Sequence, residues 1–196
     1  MALAVGASAA QTPAILVVGD SLSAEYGLAR GTGWVALLEK RLASEKINAT
    51  VHNASISGDT TPGGRARLPA LLTSVKPTVV VIELGGNDAL RGLPLQSTED
   101  NLRSMTEAAQ KAGAKVLLVG MQVPPNYGRD YADRFSGLFA KVAKGENAGL
   151  VPFLLKGVAD VPDAATRFQP DRIHPKAEAH PTILNNVWPE LKKLLK

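Results

Sequence analysis

The sequence predicts an α/β fold, a three-layer α/β/α sandwich on a five-stranded parallel sheet, from two observations. Five short apolar runs rich in Val, Ile and Leu alternate with longer stretches whose apolar residues recur at helical spacing. Pro77 before the third run, Pro124-Pro125 after the fourth and Gly113 after a helical stretch punctuate the alternation. Strand alternating with helix implies parallel pairing through right-handed crossovers, with helices covering both faces of the sheet.

The strand-like runs lie at 14–18 (Ala14-Ile15-Leu16-Val17-Val18), at 49–51 continuing toward Asn53, at 78–84, at 115–121 and at 149–155. Residues 34–46, 65–75, 98–112, 131–143 and 181–195 carry the helical pattern, with charges on the opposite faces. Thr98 followed by Asn101 reads as a weak helix start, and Gly113 as a C-terminal stop. Pro77 precedes the central strand and Pro124-Pro125 follows the fourth, because proline cannot donate into a ladder. No repeat, low-complexity tract or linker interrupts the alternation, which resembles the flavodoxin-like arrangement; the order of strands is not readable from it.

The chain has 196 residues, enough for one well-buried core, of which 45% are apolar and 20% charged, with mean hydropathy +0.01. That is globular composition and excludes wholesale disorder. The net charge is +4 and the pI about 9.4, but Lys and Arg are dispersed and the longest basic run is Lys192-Lys193. This reads as a solvated basic surface, with no nucleic-acid partner expected. There is no cysteine, which excludes disulfides, thiol catalysis and thiolate metal sites. No apolar run is long enough to span a bilayer. Residues 1–10 are small and apolar, and Ala7-Ser8-Ala9 matches a small-x-small cleavage site without a basic start. Residues 1–13 are therefore read as a leader remnant or flexible tail, 14–196 as one domain, and the location as periplasmic or secreted. The oligomeric state is not readable, a monomer being the expectation.

Gly19-Asp20-Ser21-Leu22-Ser23 stands where the first apolar run stops. A buried parallel strand that ends there delivers Ser21 to the carboxyl edge of the sheet, where α/β folds place their chemistry. Asp and Ser are equally favoured in plain turns and caps, so the pentapeptide alone leaves both readings open. Ser55-Ile56-Ser57-Gly58-Asp59-Thr60 and Gly85-Gly86-Asn87-Asp88 follow the second and third runs and are expected on the same edge. A serine that attacks a carbonyl needs donors for the oxyanion it creates; the N–H groups of Ser21 and Gly58 and the amide of Asn87 suit that task. It also needs a base. Of His52, His174 and His180, only His174 has a carboxylate three residues before it, Asp171, placed to hold one ring nitrogen while the other faces the serine. An imidazole, with an ordinary pKa of about 6.5, exchanges protons near neutral pH. His52, inside the second strand, is expected to be packed, and His180, opening the last helix, to be solvated.

Together, Gly-Asp-Ser-Leu-Ser near the start, Gly58 in Ser-Gly-Asp-Thr, Gly-Gly-Asn-Asp around Asn87 and Asp171-Arg172-Ile173-His174 near the end resemble the four blocks of the SGNH (GDSL) hydrolase superfamily. Asn53 to Thr60, Glu83 to Asp88 and Pro125-Asn126-Tyr127-Gly128 bring the chain close to the bacterial periplasmic thioesterase I, lysophospholipase and arylesterase family. The resemblance runs from Ala14 to the C-terminus. It implies a serine esterase that cleaves carboxylic esters, thioesters or lysophospholipids through an acyl-enzyme, with a small acyl substrate as partner and no metal or cofactor. By that resemblance Ser21 is the nucleophile, His174 the general base and acid, Asp171 its orienter, and Ser21, Gly58 and Asn87 the oxyanion donors. Asp20, Leu22, Leu84, Leu90, Leu93, Pro94, Tyr127 and Phe153, on or near the same edge, are candidates for substrate contact. Two features depart from the family pattern: Glu25, a carboxylate just after the nucleophile turn where small residues are common, and the connection Gly145-Glu146-Asn147-Ala148-Gly149.

Other readings fit less well. An α/β-hydrolase elbow requires G-x-S-x-G, and Ser21 lacks the second glycine. Gly31-Thr32-Gly33-Trp34-Val35-Ala36 matches a dinucleotide fingerprint, but it follows no strand directly and position 53 is Asn rather than an acid, so it reads as a loop and helix start. A carbohydrate acetylesterase, or a catalytically silent lipid-binding protein on the same fold, is the remaining alternative.

Overall fold

In the computed structural model, which describes residues 12–196, five strands form one sheet: β1 (Ala14–Gly19), β2 (Thr50–Asn53), β3 (Val79–Glu83), β4 (Lys115–Val119) and β5 (Gly149–Val151). Between and after them run α1 (Trp34–Ser44), α2 (Thr61–Val75), α3 (Gly86–Leu90), α4 (Leu95–Lys111), α5 (Arg129–Gly145) and α6 (His180–Leu194). All pairings are parallel and the order is β2-β1-β3-β4-β5, the flavodoxin-like order. The leader-like segment at 1–10 lies outside the described residues.

The strand runs are continuously apolar because both faces of the sheet are covered. Ile15, Val17, Val79, Val81, Leu117 and Val119 pack with Trp34, Leu38 and Leu42 of α1 and with Ile183, Val187 and Leu191 of α6. The alternate residues Leu16, Val18, Val80, Ile82, Val116 and Leu118 pack beneath α2, α4 and α5, against Leu68, Leu102, Met105, Phe135 and Phe139. Period-2 alternation in the strands thus feeds two separate cores.

Boundaries shift where side chains find partners beyond their own turn. α2 begins at Thr61, four residues before the expected start, because Pro62 suits a first helical turn. Thr98 and Asn101, expected to start a helix, lie buried inside α4; Thr98 Oγ1 donates to Asp88 Oδ1 (3.2 Å) and Asn101 Nδ2 to Thr61 Oγ1 (3.2 Å). β5 stops at Val151 because Pro152 has no N–H, and the backbone turns so that Leu154 N donates to Gly120 O (2.9 Å). α3, five residues long, carried no sequence signal.

The two histidines outside the candidate triad are placed opposite to expectation. β2 is the edge strand, and His52 is exposed. His180 is buried at the start of α6, and its Nδ1 accepts the N–H of Trp34 (3.0 Å), tying the first residue of α6 to that of α1.

Two predictions follow from this packing. At Gly120 a Cβ would stand 2.4 Å from the Pro152 carbonyl oxygen, a backbone atom that cannot step aside. Gly120→Ala is therefore expected to destabilise the fold by about 1–3 kcal/mol, seen as a lower urea midpoint at unchanged slope. Burial holds the His180 pKa below its ordinary 6.5, so between the two values the unfolded chain binds more protons than the folded one. The stability that neutral His180 contributes is fully present above about pH 6.5 and is lost as the pH falls below it. In His180→Gln, whose amide oxygen still accepts from Trp34, the melting temperature is expected to fall less between pH 7 and 5 than in the parent.

Candidate active site

At the carboxyl end of β1 the chain folds tightly around Asp20. Its carbonyl accepts from Ser23 N (3.2 Å) and Ala24 N (3.0 Å), and its Oδ1 accepts from Leu22 N (3.0 Å). This turn presents Ser21 to the sheet edge. From the loop before α6, His174 Nε2 comes within 2.8 Å of Ser21 Oγ, and His174 Nδ1 within 2.7 Å of Asp171 Oδ2. Asp171 Oδ1 meanwhile accepts the N–H groups of Ile173 (2.9 Å) and His174 (3.0 Å), a closure that puts Arg172 in the left-handed region at φ 60°. The Ile173 N–H, the imidazole and the His174 N–H hold the Asp171 carboxyl down to about 2. An ionised carboxylate only accepts, so Nδ1 carries the ring proton and Nε2 is left to take one from Ser21.

The donors expected around the serine are close by. Gly58 has φ 78°, a left-handed conformation that favours glycine, in the turn after β2. Ser21 and Gly58 both line the cleft, and among the described residues neither N–H meets a protein acceptor. Asn87, in the first turn of α3, lines the cleft too, but both hydrogens of its Nδ2 are engaged, with Asp20 Oδ2 (3.0 Å) and with Asp59 O (2.9 Å). To serve an oxyanion it must share or release one of them. Burial pushes the Asp20 carboxyl up to about 6, and a carboxyl that gains a proton grips that amide less strongly. Beneath it Glu83 is also raised, by burial and then by the charge of Asp20; its Oε2 accepts from Ser23 Oγ (2.7 Å) and Asp20 N (3.3 Å), and Trp34 Nε1 donates to Ser23 Oγ (3.2 Å).

Two further groups brace the turns. Arg67 on α2 pairs with Asp59 Oδ2 (2.8 Å) and donates to the carbonyls of Ala54 and Gly19, joining the ends of β1 and β2. Asp88, buried beside Asn87, accepts the N–H and hydroxyl of Thr61 and so docks the start of α2 onto α3.

A cleft of about 380 Å³ opens over Ser21, lined among others by Asp20, Leu22, Tyr26, Leu90, Met121 and Ile173. Of the candidate contacts, Asp20, Leu22 and Leu90 line it. Leu84 does not: it is buried against α2, beside Gly64. Phe153 packs on the α1/α6 core, and Tyr127 stacks on Tyr131 at 6.0 Å, extending an aromatic row toward Phe139. Neither these two nor Leu93 and Pro94 are among the lining residues. Tyr26, Met121 and Ile173 line it without having been expected; Ile173 adjoins His174, and Met121 follows the fourth strand on the same edge. Glu25 turns away from Ser21 onto the N–H groups of Gly31 and Gly33, which form a loop leading into α1 rather than a nucleotide site. The altered connection after α5 lies elsewhere, with Glu146 paired to Arg103 (3.1 Å).

Residues 17–181 match the GDSL-like lipase/acylhydrolase family. Esterase TesA of Pseudomonas aeruginosa is 56% identical over 188 residues, covering 96% of this chain and 91% of that protein. Thioesterase 1/protease 1/lysophospholipase L1 of Escherichia coli K12 is 42% identical over 187 residues, covering 95% of this chain and 87% of that one. A crystal structure of TesA superposes with a TM-score of 0.88 at 55% identity, covering 92% of this chain and 99% of that one.

Proposed function

The chain belongs to the GDSL-like lipase/acylhydrolase family, and from that premise we propose that it is a serine esterase acting through Ser21, His174 and Asp171. The observation that carries the reading is the continuous line from Asp171 Oδ2 through the His174 ring to Ser21 Oγ, with contacts of 2.7 and 2.8 Å, the second joining residues 153 positions apart in the chain. His174 Nε2 takes the Ser21 proton as Oγ attacks the ester carbonyl, and Asp171 stabilises the imidazolium. The tetrahedral oxyanion is received by the N–H groups of Ser21 and Gly58 and by an Asn87 N–H released from Asp20 or Asp59. Collapse returns the proton to the departing alcohol or thiol. Water activated by the same imidazole then cleaves the acyl-enzyme.

The apolar lining by Leu22, Tyr26, Leu90, Met121 and Ile173 supports substrates with an apolar acyl or aryl group: aryl esters, thioesters or lysophospholipids, the last two in keeping with the name of the E. coli relative. The small-x-small motif Ala7-Ser8-Ala9 supports a periplasmic or secreted location.

Initial rates on p-nitrophenyl esters from acetate to palmitate test the reading. Ser21→Ala and His174→Ala are each expected to lower kcat on the order of 10⁴-fold or more. Asp171→Asn is expected to lower kcat about 10²- to 10⁴-fold with KM little changed, because the ring loses its orienting acceptor rather than its place. Turnover by Ser21→Ala within a few-fold of the parent overturns the assignment, and no turnover of any ester by the parent would favour a binding protein.

A further inference from the structure

Directly after the Ser21 turn the backbone does something costly. Glu25 sits at φ 58°, in the left-handed region that side-chain-bearing residues seldom adopt. The conformation curls the side chain back over its own loop. Its carboxylate accepts the N–H of Gly31 (2.9 and 3.1 Å to its two oxygens) and the N–H of Gly33 (2.8 Å), while its carbonyl accepts from Leu28 N (3.0 Å). Residues 26–30 are thereby closed at their base by charge-assisted hydrogen bonds, which are stronger than neutral ones. Gly33 makes room for this: a Cβ there would stand 2.6 Å from Glu25 Cγ.

The first residue of the closed loop is Tyr26, whose ring centroid lies 4.3 Å from that of His174, the planes tilted by 37°. Gln169 secures the same junction from the other side. Its Nε2 donates to Tyr26 O (3.0 Å) and Pro175 O (3.1 Å), and its backbone N–H donates to His174 O (2.7 Å). Tyr26 is 49% exposed, so little besides these contacts keeps its ring from swinging into solvent. Local strain that surrounding contacts hold in place beside a candidate base points to a positioning role.

We propose that Glu25 is a positioning residue of the esterase site, whose closure on Gly31 and Gly33 fixes Tyr26 as a wall against the His174 ring. This rests on the serine-esterase reading above. In it, Tyr26 covers one face of the imidazole, limits the ring's rotation away from Ser21 Oγ, and bounds the side of the cleft from which the alcohol departs. Glu25 touches neither substrate nor reacting atoms and acts only through Tyr26.

The test is a double-substitution cycle on p-nitrophenyl acetate with Glu25→Gly, Glu25→Gln, Tyr26→Ala and the pair Glu25→Gly/Tyr26→Ala. Glycine relieves the left-handed backbone while deleting the carboxylate, so the fold is expected to persist, which thermal melting checks. Glu25→Gly is expected to lower kcat about tenfold with KM changed less, since small displacements of a catalytic group are costly. Glu25→Gln, which keeps an acceptor for the loop N–H groups, is expected to stay within about threefold of the parent. In the Tyr26→Ala background the Glu25→Gly effect is expected to vanish, because coupled residues are not additive. Independently of turnover, the His174 ring-proton resonance, shifted by the tyrosine ring current in the parent, is expected to move in Glu25→Gly toward its position in Tyr26→Ala. An unchanged kcat and resonance in Glu25→Gly, or a kcat loss of equal size with and without Tyr26, overturns the proposal. Activity retained by Ser21→Ala would overturn the esterase reading instead, and the resonance would still decide whether Glu25 holds Tyr26 on the ring.

Discussion

Parallel pairing of β1 with β2 on one side and β3 on the other is the constraint from which the rest of the site follows. The register sets Val17 against Asn53 and Gly19 against Glu83, so three strands end at nearly one level. Their following turns, carrying Ser21, Gly58 and Asn87, have nowhere to go but the same edge. The β1–β3 pairing also lays the Asp20 N–H over Glu83 and so fixes the floor of the nucleophile turn. What the sheet does not place is the imidazole beside Ser21 Oγ. His174 arrives from the far end of the chain on the loop into α6, and the His180 contact with Trp34 locks that helix onto α1, next to Ser21. Sheet register thus places the turns carrying Ser21, Gly58 and Asn87, while helix docking places the imidazole.

Two aspartates stand near that imidazole, and their environments push them in opposite directions. Asp171 lies exposed at the rim, where backbone N–H groups and the ring keep it ionised. Asp20 lies buried below the serine, where desolvation favours its neutral form. The division has a use. In the proposed reaction a negative charge beside Nδ1 stabilises the imidazolium, whereas a negative charge under the proposed oxyanion donors would repel the oxyanion and compete for the Asn87 amide. Separating acid and base roles by environment rather than by residue type is a general device of such sites.

How much of this was legible in the sequence depends on whether the signal was local. Four of the strands were legible because each holds an apolar run, and the gathering of Ser21, Gly58, Asn87, Asp171 and His174 at one edge because they stand in short blocks at strand or helix ends. His52 was misjudged because burial of a strand residue depends on whether the strand is central or at the edge, which strand order decides and local pattern does not, and His180 because its partner, the Trp34 N–H, comes from a helix 146 positions away. Leu84 looked like a cleft residue by its place after β3, yet α2 approaches closely at Gly64 and buries it. Tyr26 went unseen for a similar reason: its packing on His174 joins segments almost 150 residues apart. Glu25 was visible as an oddity, but the φ of 58° that turns its carboxylate away from Ser21 is a property of the folded loop.

Exposed apolar surface adds a last constraint. Among the described residues the large hydrophobic side chains left exposed are Tyr26, Ile56, Leu90 and Ile173; three line the cleft, and the fourth is two positions from Gly58. Scattered exposed hydrophobics need no explanation, but their collection around one opening does. Asp20, Ser21, Ser57, Asn87 and His174 supply the polar part of the lining, and Leu22, Tyr26, Leu90, Met121 and Ile173 its apolar area. Apolar contact of this kind separates substrates by about 1–3 kcal/mol per methylene. In the proposed esterase a mouth lined this way separates substrates by the apolar area they bring, and Tyr26 bounds it on the His174 side.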